Sequence, residues 1–265
     1  PRVPPLARRV TVTSHAFFLK PQVSVIPLAG EVLYEVEHED LNAFAKDFTA
    51  DWGLPVLLNI LDESTVFESE GSLVMMESGA NPADREDVAW AAETAQGWDA
   101  VSALQRAKST IRVIIVPKTA TQKAAASTLV KVLSTLTLRP GTLAVAGAHT
   151  LIEPTKYRNA SAVLGKGELP LANLVYLGLY ENDGETGAYT AGLDQFGHPE
   201  IEILGSARKP EAVYEFLENL VQYVIDTGSK LRDGDELQIS PTESVGIKFS
   251  KGVALPSVKT VKVSY

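Results

Sequence analysis

The stretch Tyr189-Thr190-Ala191-Gly192-Leu193-Asp194-Gln195-Phe196-Gly197-His198-Pro199-Glu200-Ile201-Glu202-Ile203 decides how this chain is read. Glycines and a proline punctuate a short apolar turn, and beyond it polar and apolar residues alternate as they do along a half-buried strand. Alternation puts His198, Glu200 and Glu202 on one face of that strand, with Ile201 and Ile203 on the other. Three such side chains together could bind a cation or perform acid and base chemistry. The plainer reading is a strand that shows its polar face to solvent. Asp194, on the turn, suits a local backbone hydrogen bond.

Outward from this motif, the clearest helix is Pro210–Thr227, where Val213, Phe216, Leu217, Leu220, Val221, Val224 and Ile225 form one apolar stripe and Gly228 stands just past the end. Behind it, 236–239, 245–249 and 258–263 alternate and should close the sheet antiparallel. On the other side, 174–180 and 142–146 read as strands. A helix over 121–138 turns Ala125, Leu129, Val132, Leu133 and Leu136 inward, and Pro140-Gly141 stops it. The β-branched run 110–116 has the composition of a buried central strand. Asn81-Pro82 predicts a helix start, with Val88, Ala91, Ala92 and Ala95 packing closely. Gly97 ends that helix, and a second short one follows through Val101 and Leu104. Trp90 and Trp98 read as core or rim anchors. Earlier still, 55–61, 62–70 and 71–76 suggest a three-stranded meander. Strands at 16–19 and 31–36 precede a helix capped by Asp40, with Leu41, Phe44, Ala45 and Phe48 on one face.

Strands and helices mix without strict alternation, so the fold class is α+β: a mixed, largely antiparallel sheet packed with several helices in one compact unit. Residues 1–54 are expected to supply N-terminal elements packed on the core of a domain spanning 55–265. The chain of 265 residues is long enough for a sizeable core. It opens on Pro1, which fits removal of an upstream segment.

The net charge of −9 argues against direct nucleic-acid binding, whose affinity comes mostly from Lys and Arg on phosphates. It favours a partner with a basic surface. Acidic residues gather at Glu35, Glu37, Glu39 and Asp40, at Glu181, Asp183 and Glu185, and at Asp233, Asp235 and Glu236. The absence of cysteine removes disulfides, thiolate nucleophiles and thiolate zinc sites. No run reaches membrane-spanning length, so no membrane partner is expected and a cytoplasmic location is. The four histidines, His15, His38, His149 and His198, never take the spacing that sets two metal ligands on one helix face. Neither a nucleophile elbow nor a phosphate loop can be read. Gly165-Lys166-Gly167 lacks a preceding strand and is a surface turn, and Asn182-Asp183-Gly184-Glu185 is a tight hairpin turn. No catalytic residue, metal ligand or cofactor is therefore assigned.

With these residues in view, the chain resembles the bacterial family called domain of unknown function 4261. The likeness runs over roughly 55–265. It rests on Asn81-Pro82 with the acidic helix and Trp98, on Arg112-Val113-Ile114-Ile115-Val116, on Leu169-Pro170-Leu171, on Asp233-Gly234-Asp235, and above all on Tyr-Thr-x-Gly-Leu-x-x-Phe-Gly-x-Pro-Glu at 189–200. The resemblance implies a context beside secreted bacterial toxins, especially type VI effectors. It implies a non-catalytic immunity protein that neutralises a cognate effector, and the net acidity suits a nuclease, whose cleft must be basic to hold phosphates. A secretion adaptor is the alternative, and a metal-dependent enzyme using His198, Glu200 and Glu202 is the rival of a different class. The runs Glu181, Asp183, Glu185 and Asp233, Asp235, Glu236 are the expected partner-binding residues.

Overall fold

The computed structural model describes residues 26–265 apart from 38–40, 62–63 and 148. The strand expected at 16–19, the Asp40 cap, His15 and His38 lie outside the described residues. In chain order the first half comprises β1 (Leu28–Tyr34), α1 (Asn42–Trp52), β2 (Asn59–Leu61), β3 (Ser64–Ser69), β4 (Ser72–Gly79), α2 (Glu86–Thr94), α3 (Ala100–Arg106), β5 (Ser109–Pro117), α4 (Gln122–Leu136), β6 (Thr142–Gly147), β7 (Thr150–Ile152) and α5 (Pro154–Ser161). Its strands form one antiparallel sheet in the order β2-β3-β4-β5-β1-β6-β7. β1 thus lies between β5 and β6, inside the sheet.

Each face of this sheet has its own cover. Ile111, Val113 and Ile115 alternate inward under α4, whose five expected core residues are all buried. Thr121 caps α4 by accepting from the Ala124 amide at 3.2 Å. Gly30 lets the helix come close, because a Cβ there would stand 2.5 Å from the Leu133 side chain. Phe44 and Phe48 of α1 meet Phe67 of β3 tilted or edge-on, with ring centroids 5.8 and 5.9 Å away. On the opposite face Leu33, Ala144 and Leu151 meet Val88, Ala91 and Ala92 of α2 and Ala103 and Leu104 of α3. Alanines make up much of this contact, which lets two short helices pack closely on the strands.

Several local expectations are corrected. Asn81 does not cap a helix; its Oδ1 accepts from the Ala83 amide at 2.9 Å, and the resulting turn delays α2 to Glu86. Val101 faces solvent because α3 is capped at Asp99, which turns Ala100, Ala103 and Leu104 inward instead. β5 is central, as expected, yet its Arg112, Ile114 and Val116 are only half-buried.

The second half comprises β8 (Tyr176–Asn182), β9 (Glu185–Ala191), β10 (Ile201–Ser206), α6 (Pro210–Thr227), β11 (Glu236–Ser240), β12 (Glu243–Lys251) and β13 (Lys259–Val263). They form a separate six-stranded sheet in the order β11-β12-β13-β10-β9-β8, so the single sheet expected from sequence is two. The tail pairs antiparallel within itself, but β13 joins β10 in parallel, with Glu202 beside Lys262. A chain that leaves β10 through α6 and returns over two more strands arrives in the same direction. α6 spans the expected residues, buries Val213, Leu217, Leu220, Val221, Val224 and Ile225, and ends on Gly228 at φ 66°. One apolar core runs continuously from α4 and the first sheet to α6 and the second.

Two buried tyrosines differ in a way that yields a stability prediction. Tyr34 donates to the Leu136 carbonyl at 3.1 Å, whereas the fully buried Tyr157 hydroxyl has no hydrogen-bond partner among the described residues. Tyr157→Phe removes a desolvated, unpaired group and should raise stability by about 1 kcal/mol, read as a higher urea midpoint. A lowered midpoint would show that this hydroxyl is paired in solution.

Candidate functional site

The Tyr189–Glu200 motif forms a clasp. β9 ends at Ala191, Gly192 turns at φ 109°, a single 3-10 turn covers Leu193–Phe196, and Gly197 at φ 76° releases the chain toward β10. Glycine is required at 192, since the backbone is left-handed and a Cβ would press within 3.0 Å of the Leu174 carbonyl. The amides that open the turn have no partner within it. Glu200 supplies one: its Oε1 accepts from Gly192 at 2.8 Å and Leu193 at 3.0 Å. Thr190 donates its hydroxyl to the other oxygen at 2.6 Å and accepts from the Ile201 amide at 2.9 Å. Gln195 reaches the Leu174 carbonyl at 2.5 Å, and Gln122 of α4 bonds the Gln195 carbonyl at 2.7 Å. The motif thereby fastens the second sheet to the first helix layer. Burial pushes the Glu200 carboxyl up to about 7, against the pull of Thr190 and the backbone amides.

Glu202, fully buried, is held separately. Its carboxylate accepts from the amides of Val253 at 3.0 Å and Leu255 at 3.2 Å, and Lys262 Nζ lies 3.0 Å away. Lys262 also donates to the Lys251 carbonyl and the Thr260 hydroxyl. His198 is buried as well, and burial lowers its pKa. Glu200 and Glu202 thus serve two different tasks, because β10 begins only at Ile201 and 198–200 precede it. The solvated polar face expected for this strand is absent at Glu200 and Glu202, both of which are buried. Among the described residues no group of His, Asp and Glu is arranged to hold a metal ion. His149 stands apart at φ 59°, its pKa lowered by burial.

The acidic runs are exposed, at opposite ends of the second sheet. Glu181, Asp183 and Glu185 crown the β8–β9 hairpin, where Asp183 and Gly184 at φ 53° and 82° make the expected tight turn. Asp233, Asp235 and Glu236 lead into β11. Asp235 accepts from the Arg232 amide at 2.9 Å and shapes its own turn, while Asp233 accepts from the Phe249 amide at 2.7 Å and ties that turn to β12. β8 and β11 are the two edges, five strand spacings or roughly 24 Å apart. The two runs do not form one patch.

Sequence reading missed two surfaces near the hairpin. Strand register places Tyr176, Gly178 and Tyr180 of β8 beside Ala191, Tyr189 and Gly187 of β9, all on the face opposite α6. The tyrosine rings lie flat: a Cβ at Gly187 would collide with Tyr180, and one at Gly178 with Tyr189. Tyr189 has Tyr176 at 5.9 Å and Tyr180 at 6.4 Å, and Trp90 meets Tyr176 edge-on at 6.4 Å. Trp90 is therefore a rim anchor, as is Trp98, which donates to the Leu151 carbonyl. The second surface is the outer side of α6, with Glu211, Tyr214, Glu215 and Glu218 exposed. The tyrosine alternation over 176–180 was readable, but nothing in it told which face of the strand lay open.

Residues 189–264 match the model of a family described as a domain of unknown function (DUF4261), the family that the motif resembles. The match takes in the end of β9, the clasp, α6 and the strands β10 to β13, and is shorter than the 55–265 over which the likeness was read. No curated protein and no solved structure matches the chain. Among the described residues, no helix is long and apolar enough to cross a membrane.

Proposed function

We propose that this chain acts by binding and not by catalysis: it is an immunity protein that neutralises a cognate type VI effector, a nuclease being the suggested class, in the cytoplasm of the producing cell. What supports the reading is the division of its carboxylates. Glu31, Glu200 and Glu202 are buried and held by internal donors, while the acids of the β8–β9 hairpin, the 233–236 turn and the outer side of α6 face outward. Outward acids on a chain of net charge −9 complement a basic cleft, as a nuclease needs for its phosphates. The metal-dependent alternative would have to strip Glu200 and Glu202 of donors that the fold already uses.

The test begins with the tagged chain in lysate of its host and proceeds to the stoichiometric partner recovered. That partner, expressed alone and with this chain, should arrest growth in the first case and not in the second. Growth arrest that persists despite a stoichiometric complex would identify a secretion adaptor instead. Association should slow by about tenfold or more between low and high salt, because steering by exposed charges is screened. A salt-independent rate would remove the electrostatic basis of the proposal.

A further inference from the structure

We propose that the tyrosine face of β8 and β9, continued round the β8 edge by the outer side of α6, docks an arginine-bearing segment of a partner protein. The inference rests on the binding function above and specifies its surface. Three observations converge on it. The rings of Tyr176, Tyr180 and Tyr189 are only partly covered and lie flat over glycines, presenting π faces from a rigid strand pair at little conformational cost. Carboxylates stand exposed at the hairpin that joins the two strands, Glu181, Asp183 and Glu185, and on the outer side of α6, Glu211, Glu215 and Glu218. Tyr214 joins the two, with Tyr176 and Glu218 both near enough to raise its hydroxyl pKa beyond what its burial does.

A guanidinium is the group that uses both features, because it stacks on an aromatic face and forks onto a carboxylate at the same time. An ammonium satisfies only the charge. The nearby Arg208 does not occupy the face: it sits 4.2 Å over the Tyr265 ring and pairs with Glu243. Tyrosine and tryptophan are also the residues that concentrate binding energy at interfaces. The acids at 233–236, on the other edge of the sheet, lie outside this surface.

The test titrates the intact chain with fluorescent nona-arginine and nona-lysine peptides at moderate salt. Nona-arginine should bind the tighter. Tyr180→Ser and, separately, Tyr214→Ser should each weaken it by about tenfold. Tyr214 is on the open side of α6, so its replacement leaves the core intact even if Tyr180→Ser disturbs the strand pair. Asp233→Asn with Asp235→Asn and Glu236→Gln should leave the affinity within about twofold. Equal binding of both peptides, or loss that follows the 233–236 charges and ignores the tyrosines, overturns this surface. The growth-rescue experiment reads the immunity function independently, so rescue by a chain whose tyrosines prove irrelevant would retire the surface and leave that function standing.

Discussion

Lys262→Met is expected to destabilise the protein by about 3–5 kcal/mol, because it leaves the Glu202 carboxylate buried without its cation. Glu202 is entirely shielded from solvent, and its remaining partners would be the amides of Val253 and Leu255. Those amides already belong to the loop that closes over the β10–β13 junction. Gly252 permits that loop, since a Cβ there would strike the Leu255 carbonyl. Loss of the ammonium would also free the Lys251 carbonyl and loosen β12 from β13. The double variant Glu202→Gln with Lys262→Met should recover much of the loss: an amide oxygen still accepts from the loop, and no charge remains to be desolvated. Urea unfolding of wild type, both single variants and the double variant gives the coupling directly. Lys262→Met within about 1 kcal/mol of wild type would mean that water reaches Glu202 and that the pair is not enclosed.

The contrast between what could and could not be read from sequence follows from the range of the interactions involved. α6 and α4 were legible to within a residue or two because their apolar stripes, with Gly228 after one and Pro140-Gly141 after the other, are local signals. The β2–β4 meander and the Asp183-Gly184 turn were legible for the same reason. The two-sheet layout was not, because β1 enters between β5 and β6, far from it in sequence, and β13 lies parallel to β10 only after α6 and two strands intervene. The candidate site failed at a finer level. Period-two alternation assigns faces to a strand, but Glu200 precedes the strand and turns back to the amides of Gly192 and Leu193. Within the motif Thr190, Gly192 and Glu200 close one clasp, and a clasp needs Thr, Gly and Glu as strictly as an active site would.

Glu200 offers the second large effect and a direct test of that reading. Glu200→Ala would leave the Gly192 and Leu193 amides without an acceptor in a dry site and should cost about 3–5 kcal/mol. Glu200→Gln keeps an oxygen for those amides, turns an NH2 donor toward Thr190 in place of the accepting oxygen, and removes the titration, which makes pH the informative variable. Burial holds the folded carboxyl at about 7, against a usual value of 4.5. Below pH 4.5 both folded and unfolded chains carry the proton, and Glu200 costs nothing electrostatic. Between pH 4.5 and 7 the unfolded chain has lost the proton and the folded chain retains it, so unfolding releases protons and stability falls as pH rises. Above 7 both are ionised, and the full cost of the buried charge, about 3 kcal/mol, is present. Relative to wild type, Glu200→Gln should therefore gain about 3 kcal/mol between pH 4.5 and 7.5. The titrations of His149 and His198 are common to both proteins and cancel in the difference. Parallel pH profiles would mean that the clasp amides and the Thr190 hydroxyl stabilise the carboxylate enough to offset its burial, and that Glu200 is ionised whenever the protein is folded.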